Sequence, residues 1–272
     1  MFMFSVLISI YYKEKAEYLN KCFESIWDKQ TIKPNEIILV EDGKLTEELY
    51  FCITNLKKKL GSILKVISLR NNLGLGKALQ IGLYSCNFNI IARMDTDDIS
   101  YPRRFEKQLE VFKKNNIDIC SGWVAEFKDN QENIISYRKL PEFHEKIVKY
   151  AKLRSPINHP AVMFRKDSVL KADGYREMLW FEDYYLWCRM INQGAKFYNI
   201  QEPLVKMRIG NGLISRRSGI KYAIAEYHFQ KKLYNMGFIN YTEFIRNISL
   251  RFILRILPTS FLKNIYRIIR KL

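Results

Sequence analysis

Over the first hundred residues, short apolar runs alternate with segments whose apolar residues recur every three or four positions. The runs are rich in aliphatic and β-branched residues, which predicts strands buried on both faces. They are Phe4–Ile10, Glu36–Val40, Leu64–Leu69 and Ile90–Met94. The periodic segments predict amphipathic helices, and they cover residues 19–27, residues 49–60 and the stretch from the turn NNLGLGK to Ser85. Strands alternating with helices predict an α/β domain with a mainly parallel sheet.

Beyond residue 100 the pattern is less regular. Ser100 and Pro102 indicate the start of a helix. A later helix is predicted to begin at Glu182 and Asp183, after the turn at Asp173. Extended segments are predicted at Ile117–Val124, Ile134–Tyr137 and Asn158–Arg165. Because no internal repeat or low-complexity linker interrupts the chain, we expect one domain followed by a tail.

The fourth predicted strand ends on three carboxylates within four positions, Asp95, Asp97 and Asp98. Carboxylates this close repel one another unless a cation or strong donors accompany them. A hard divalent ion, held by one or two carboxylates and completed by phosphate oxygens and water, would relieve the repulsion. The alternative is an acidic turn exposed to water.

Chemistry-bearing residues follow the other predicted strands as well. Ser9, Tyr11 and Lys13 lie at the end of the first strand, and Asp42 lies at the end of the second. The carboxyl ends of parallel strands meet at one edge of a sheet, where ligands bind in α/β proteins. We therefore expect these residues and the three aspartates to line one edge, with Lys13 and Lys77 available for phosphates. Such an edge suits a nucleotide together with a metal ion.

The glycine turn does not match the known phosphate-binding loops. GLGK at Gly74–Lys77 lacks the spacing of a P-loop and the third glycine of a dinucleotide fingerprint, and it follows the third strand. Kinase, NTPase and dehydrogenase functions are therefore disfavoured.

Charge and cysteine content narrow the classes further. The 45 Lys and Arg against 28 Asp and Glu give a net charge of +17, which favours anionic partners. The 5 cysteines are widely spaced and odd in number, so we expect reduced thiols and a cytosolic protein without a zinc site. No signal peptide is recognisable, and no apolar run approaches the roughly 18 residues of a spanning helix.

The segment WFEDYYLWCRM, Trp180–Met190, carries a candidate general base. Asp183 lies among aromatic residues, so it is predicted to be partly desolvated with a raised pKa. A carboxylate of this kind accepts a proton from a hydroxyl, and aromatic side chains bind sugar faces. The alternative is that Glu182 and Asp183 only stabilise the start of their helix.

Basic residues are concentrated toward the C terminus. Val205–Gly219 is predicted to be a loop whose Arg208, Arg216 and Arg217 either bind a diphosphate or lie in solvent. The tail Phe244–Leu272 has the apolar and basic spacing of cationic amphipathic helices, which lie on anionic membranes. Alternatively, this tail packs on the domain with an outward basic face.

Between Phe4 and about Arg189 the chain contains, in order, FSVLISIYYKE, QTIKPNEIILVEDG, LGLGKALQIGL, IARMDTDDISYPRRFEKQ, HPAVMFRK and FEDYYLW. Together these stretches resemble the inverting, nucleotide-sugar-dependent family-2 glycosyltransferases of bacterial polysaccharide assembly. The resemblance implies a GT-A (Rossmann-like) fold, with a mixed, mainly parallel sheet flanked by helices.

The resemblance assigns the donor side residue by residue. Asp42 stands where the family reads the uracil, while Glu41 stands where many members have aspartate. Asp95 and Asp97 match the D-x-D that holds Mn²⁺ or Mg²⁺ against the diphosphate. The residues expected to bind the nucleotide sugar are Ser9, Tyr11, Lys13, Asp42, Lys77, Asp95 and Asp98.

On the acceptor side, Asp183 matches the general base of the family. The residues expected to bind the acceptor or its diphosphate are Glu182, His159, Trp180, Arg208, Arg216 and Arg217. His159 precedes a proline in the segment that flanks the acceptor pocket, although a lone histidine is also compatible with a structural role.

The resulting hypothesis is transfer of a hexose, galactose before glucose, from a UDP-sugar to a lipid-diphosphate-linked sugar. Inversion would give a β-linkage in O-antigen or another surface polysaccharide. Residues 1–218 would form the GT-A domain, with a nucleotide half of about 1–100 and an acceptor half of about 101–218. Residues 219–272 would form a membrane-associating tail on the cytoplasmic face of the inner membrane.

Two other classes remain open at this point. A nucleic-acid-binding protein agrees with the net charge and the many aromatic residues, but no recognition motif is present and the acidic cluster would repel phosphates. A non-catalytic sugar-nucleotide binder would use the same donor residues without the base.

Overall fold

A computed structural model of the protein describes residues 3–210 and 219–256. The strands are β1 (Phe4–Ile10), β2 (Glu36–Glu41), β3 (Leu64–Ser68), β4 (Ile90–Asp95), β5 (Ile99–Ser100), β6 (Ile119–Phe127), β7 (Ile134–Arg138), β8 (Met163–Arg165) and β9 (Phe197–Arg208). The helices are α1 (Ala16–Phe23), α2 (Glu47–Leu60), α3 (Leu75–Ser85), α4 (Arg104–Lys114), α5 (His144–Ala151), α6 (Lys166–Lys171), α7 (Glu182–Asn192), α8 (Ile220–Asn235) and α9 (Tyr241–Ile256).

The strands of the described residues form one sheet in the order β3-β2-β1-β4-β8-β6-β9-β5, with β7 paired to β6. The first four are parallel neighbours, and β9 is parallel to β6. Strands β8, β5 and β7 run antiparallel to their neighbours. The prediction of a mixed, mainly parallel sheet flanked by helices is therefore confirmed.

Both faces of the central strands are buried. Phe4, Val6 and Ile8 of β1 belong to the cluster that packs against α1, α2 and α4. Leu7, between them, belongs to the opposite cluster with α3 and α7. Alternate residues of a strand point to opposite faces, so a strand covered by helices on both sides has to be apolar throughout, as β1 is.

The prediction of a loop at Val205–Gly219 was wrong for its first part. Val205–Arg208 is the end of β9, which pairs with β6 along most of its length. The strand was missed because Pro203 interrupts its apolar pattern, at a point where the register with β6 shifts. Residues 211–218, with Arg216 and Arg217, lie outside the described residues. The segment Asn158–Arg165 is also not extended throughout, because a 3₁₀ turn at His159–Ala161 precedes β8.

The described part of the C-terminal tail packs on the domain. Asn247 of α9 donates to the carbonyl oxygen of Lys152, 2.8 Å away, and to Gln230 Oε1 at 3.0 Å. Arg251 pairs with Glu226 of α8. For this part of the tail the packed alternative holds, while residues 257–272 lie outside the described residues. Within the described ranges, no helix has the length and apolarity needed to span a bilayer.

Candidate active site

The carboxyl ends of the parallel strands bring the donor-side residues to one edge. Ser9 of β1 is aligned with Val40 of β2 on one side and with Asp95 of β4 on the other. Asp42 follows β2, and its backbone N–H donates to the carbonyl oxygen of Ile10 at 2.7 Å. Backbone pairing alone thus places Ser9, Asp42 and Asp95 at the same rim, as predicted from the order of the strands.

Asp42 also holds the glycine turn in place. Its Oδ1 accepts from the backbone N–H of Leu73 at 2.6 Å, and its Oδ2 accepts from that of Gly74 at 3.0 Å. Gly74 has a φ of +86°, which glycine adopts without steric cost. The carboxylate is buried, and its observed contacts order the turn from which α3 starts.

Arg93 forms an ion pair with Asp95 that the sequence analysis missed. Both nitrogens of its guanidinium fork bond to the two carboxylate oxygens of Asp95. The pair forms because residues two apart on a strand point to the same face. Arg93 is 2% exposed, whereas the Asp95 side chain is 32% exposed at the rim. An arginine inside an otherwise apolar buried strand was the available signal.

Of the next two carboxylates, Asp97 is half-buried and Asp98 is buried. Burial, and next the charge of Asp95, raises the pKa of Asp97 to about 6. Burial, and next the charges of Asp97 and Asp95, raises the pKa of Asp98 well above its usual range. Asp98 Oδ1 accepts from the backbone N–H of Arg208 at 2.8 Å. Asp98 therefore connects the acidic turn to β9.

Arg208 lies beside the acidic turn. Its guanidinium carbon is 3.9 Å from the ring centroid of Tyr18 and 4.5 Å from that of Phe127. Its Nε donates to the carbonyl oxygen of Asp97 at 3.3 Å. The solvated-loop alternative is thus wrong for Arg208, whose positive charge acts on Asp97.

The donor set fits a hard divalent cation with few protein ligands. Asp95 and Asp97 offer carboxylate oxygens, and the buried Asp98 Oδ2 has no hydrogen-bond partner. A cation at this turn would offset the mutual repulsion of these groups. No three His, Cys, Asp or Glu side chains of residues 3–210 and 219–256 are arranged to hold a metal ion by themselves. A cation here would therefore need phosphate oxygens and water to complete its shell.

Glu182 and Asp183 occupy the first turn of α7, next to the start of α3. Glu182 packs so closely on Gly76 that a Cβ at Gly76 would lie 3.1 Å from Glu182 Cγ. Burial, together with the charge of Asp183, raises the pKa of Glu182. Asp183 Oδ1 accepts from the backbone N–H of Tyr184 at 2.7 Å. The helix start predicted from the sequence is confirmed, and it lies next to the turn that Asp42 holds.

Tyr175 connects the donor and acceptor sides. Its hydroxyl is 2.9 Å from His159 Nε2. Burial raises the pKa of Tyr175, the charge of Arg93 opposes this rise, and the charges of Asp183 and Asp95 add to it. Tyr175 is therefore close enough to carboxylates from β4 and from the start of α7 for both to act on its hydroxyl. No local sequence pattern marked Tyr175, because its partners come from distant segments.

The remaining predicted residues have simpler surroundings. Burial, and next the charge of Arg93, lowers the pKa of His159 well below its usual value, so its ring is neutral near pH 7. Lys77 lies in the first turn of α3, with Nζ 3.4 Å from Glu177 in an exposed pair. Lys13 is exposed, with Nζ 5.5 Å from the ring centroid of Tyr12. Both lysines are accessible to an anion.

This architecture is that of the GT-A glycosyltransferases, as solved structures show. A mannosyltransferase from Pyrobaculum calidifontis in complex with GDP-Man and Mn²⁺ superposes with a TM-score of 0.65 at 13% identity, covering 90% of this chain and 68% of that one. S. aureus TarS 1-349 in complex with UDP-GlcNAc gives a TM-score of 0.66 at 15% identity, covering 92% of this chain and 71% of that one. The chain belongs to glycosyl transferase family 2, whose profile matches residues 5–172.

Two relatives match this chain over nearly their whole length. A UDP-Gal:alpha-D-GlcNAc-diphosphoundecaprenol beta-1,3-galactosyltransferase of Escherichia coli is 41% identical over 265 residues, 97% of this chain and 95% of that protein. The amylovoran biosynthesis glycosyltransferase AmsE of Erwinia amylovora is 38% identical over 273 residues, 99% of this chain and all of that protein (100%). The prediction of a family-2 glycosyltransferase is confirmed, and the nucleic-acid-binding alternative has no support.

Proposed function

We propose that the protein transfers galactose from UDP-galactose to a sugar carried on a lipid diphosphate, with inversion, in the assembly of a surface polysaccharide. UDP-glucose is the second candidate donor. The observation that carries this proposal is geometric. The strand ends bring Ser9, Asp42 and Asp95 to one rim, and Glu182, the neighbour of Asp183, packs on Gly76 beside the turn that Asp42 holds. The activity that names the Escherichia coli relative, 41% identical, supports the choice of donor and acceptor.

On the donor side, the rim residues bind UDP. Ser9 and Tyr11 contact the nucleoside, and Asp42 reads the uracil while it orders the glycine turn. Asp95 and Asp97 would hold Mn²⁺ or Mg²⁺, which would supply positive charge to the departing diphosphate. Exposed Lys13 and Lys77 contribute further positive charge to the same phosphates.

On the acceptor side, Asp183 acts as the general base. The acceptor oxygen forms a bond to C1 of the galactosyl group while the bond from C1 to the diphosphate oxygen breaks. The hydroxyl proton passes to Asp183, and UDP leaves with the bonding electrons. Because attack comes from the face opposite the leaving group, an α-linked donor gives a β-linked product. Glu182 and His159 border the acceptor, and Arg208, Arg216 and Arg217 attract its diphosphate.

The enzyme works on the cytoplasmic face of the inner membrane, with residues 1–218 as the catalytic domain and residues 219–272 as the membrane-associating part. Helices α8 and α9 support this placement because both expose apolar side chains. The two sets of side chains are neighbours, since the rings of Tyr234 on α8 and Tyr241 on α9 have centroids 6.3 Å apart. We call this surface the C-terminal plate; its exposed residues are Ile220, Ile224, Tyr227, Tyr234, Tyr241 and Ile245. Exposed Lys221, Lys231 and Lys232 on α8 suit anionic headgroups.

The proposed reaction is tested by a donor screen. The purified protein is incubated with UDP-galactose, UDP-glucose or UDP-GlcNAc, with Mn²⁺ or Mg²⁺, and with α-GlcNAc diphosphate carrying an undecyl chain. We expect galactosyl transfer and a β-linkage by NMR of the product. Transfer of another sugar, or an α-linked product, would contradict the donor or the stereochemistry respectively.

The membrane placement is tested with vesicles of anionic phospholipid. We expect the double variant Ile224→Ser/Tyr227→Ser to sediment less with the vesicles than the wild-type protein. Phe51→Ser serves as the control because Phe51, on α2, is 70% exposed and lies outside the C-terminal plate. Equal sedimentation of the double variant and the wild-type protein would contradict the assignment of the C-terminal plate.

A further inference from the structure

Trp180 has a backbone conformation that bulky residues avoid. Its φ is +67°, in a turn closed by a hydrogen bond from Phe181 N–H to the carbonyl oxygen of Met178 at 2.7 Å. The third position of such a turn is normally glycine, because positive φ there costs other residues energy. Strain of this kind is typically retained at functional sites.

Burial does not explain why a tryptophan occupies this position. The residue is 42% exposed, and glycine would adopt the positive φ without steric cost. The exposed part is large and aromatic, and it lies three residues before Asp183 in the same chain segment. Trp180 therefore exposes an aromatic ring in the segment that leads into α7, whose first turn carries the proposed base.

The other face of the indole is fixed by a column of aromatic rings. Trp180 stacks on Tyr222 of α8, with centroids 5.1 Å apart and planes inclined by 29°. Tyr222 in turn contacts Phe181 at 5.3 Å, and Phe181 stacks on Phe229 at 4.7 Å. Tyr222 is buried, so the column anchors the outermost ring in the interior between α7 and α8. The ring is thus held in orientation while one face stays open.

We propose that the open face of Trp180 is a stacking platform for the pyranose ring of the acceptor, held in orientation by Tyr222. The inference rests on the proposed function and specifies how its acceptor is recognised. The C–H face of a pyranose is apolar and flat enough to lie on an indole, and stacking leaves its equatorial hydroxyls at the edge, accessible to Asp183. Tyr222 is a positioning residue here, since it acts through Trp180.

Three variants test the platform. Trp180→Gly suits the backbone and removes the ring, Trp180→Phe keeps an aromatic face, and Tyr222→Leu removes the ring beneath it. Binding of α-GlcNAc diphosphate with an undecyl chain is titrated in the presence of UDP and Mg²⁺. KM for the same compound and Tm are measured in parallel.

We expect Trp180→Gly to weaken acceptor binding about tenfold and to raise KM by the same factor. A tenfold loss corresponds to roughly 1.4 kcal/mol of stacking energy. Tm and the Kd for UDP should stay at wild-type values, because the glycine relieves the turn. Trp180→Phe should recover most of the affinity, and Tyr222→Leu should fall between the two. Asp173→Gly is the matched control, since Asp173 also has a positive φ, +61°, but offers no ring.

Unchanged acceptor binding in Trp180→Gly would overturn the platform. A parallel loss of Tm and UDP affinity would also overturn it, because the ring would then be structural. If Trp180→Gly no longer sediments with vesicles but binds the acceptor as the wild-type protein does, Trp180 is a membrane anchor and the platform is overturned. If the wild-type protein binds the compound through Trp180 but transfers no sugar to it, the proposed function fails while the platform stands.

Discussion

The donor side and the acceptor side of the candidate active site are positioned by different kinds of interaction. Ser9, Asp42 and Asp95 lie at the ends of parallel strands, so backbone hydrogen bonds fix their spacing. Asp183 begins a helix whose place depends on side-chain packing, with Phe181 and Tyr184 against Phe229 of α8. The donor side is thus built into the sheet, whereas the acceptor side can be altered by repacking a few side chains.

The largest expected effect is on the acceptor side. Asp183→Asn removes the proposed base, and general base catalysis typically contributes about 10²–10⁴-fold. We expect kcat to fall by that factor while the Kd for UDP stays within about twofold, a change below 0.5 kcal/mol. Steady-state kinetics and calorimetric titration with UDP measure the two values. Asp129→Asn is the control, because Asp129 is an exposed carboxylate in a turn. An Asp183→Asn enzyme that keeps a tenth or more of the wild-type kcat would contradict the assignment of the base.

The matching change on the donor side is Asp97→Ala. Removing a proposed metal ligand should weaken Mn²⁺-dependent binding of UDP by more than the roughly 10–100-fold seen for residues that only orient ligands. Acceptor binding should be unaffected. The two variants thus differ in UDP binding, which Asp97→Ala weakens and Asp183→Asn leaves unchanged. Titration of UDP with and without Mn²⁺ measures the effect. Metal-dependent UDP binding equal to that of the wild-type protein would exclude Asp97 from the donor site.

A smaller effect is expected in the core beneath the donor side. A Cβ at Gly82 would lie 2.4 Å from Leu7 Cδ1 and 2.7 Å from Val40 Cγ2, so α3 would have to move away from β1 and β2. Overpacking of this kind costs about 1–3 kcal/mol. We expect Gly82→Ala to lower the free energy of unfolding by that amount, measured by urea denaturation.

The control for this variant is Gly210→Ala, where a Cβ would meet no atom within 4 Å. If Gly82→Ala is as stable as that control, the tight packing of α3 on the strands is not a source of donor-side rigidity.

The same contrast explains what could be predicted from the sequence. The first strand, its apolar pattern on both faces and the place of Asp42 and Asp95 followed from local periodicity and the order of elements. The position of Tyr175 did not, because its neighbours come from distant segments. The ion pair of Arg93 with Asp95 was missed although it is local, with an arginine two residues before an aspartate in a buried strand. Strand β9 was missed because Pro203 obscures its pattern.

The C-terminal tail gives a further example. The amphipathic spacing of Phe244–Leu272 was visible in the sequence, but a helix that packs on a domain and one that lies on a membrane share that spacing. Asn247 and Arg251 show that their face of α9 packs on the domain, because they bond to α8 and to the carbonyl oxygens of Lys152 and Leu153, which follow α5. The contact of Asn247 with Lys152 joins residues 95 positions apart and leaves no local signal.

The central claim is that metal, donor and acceptor share one cavity. Mn²⁺ broadens the NMR signals of nearby protons, whereas Mg²⁺ does not. The line widths of the acceptor sugar protons therefore measure how close the sugar lies to the metal. With UDP present, we predict that the sugar protons of α-GlcNAc diphosphate carrying an undecyl chain broaden when Mn²⁺ replaces Mg²⁺, and that Asp97→Ala abolishes the broadening. An acceptor that binds to the wild-type protein but stays sharp with Mn²⁺ would contradict a shared cavity.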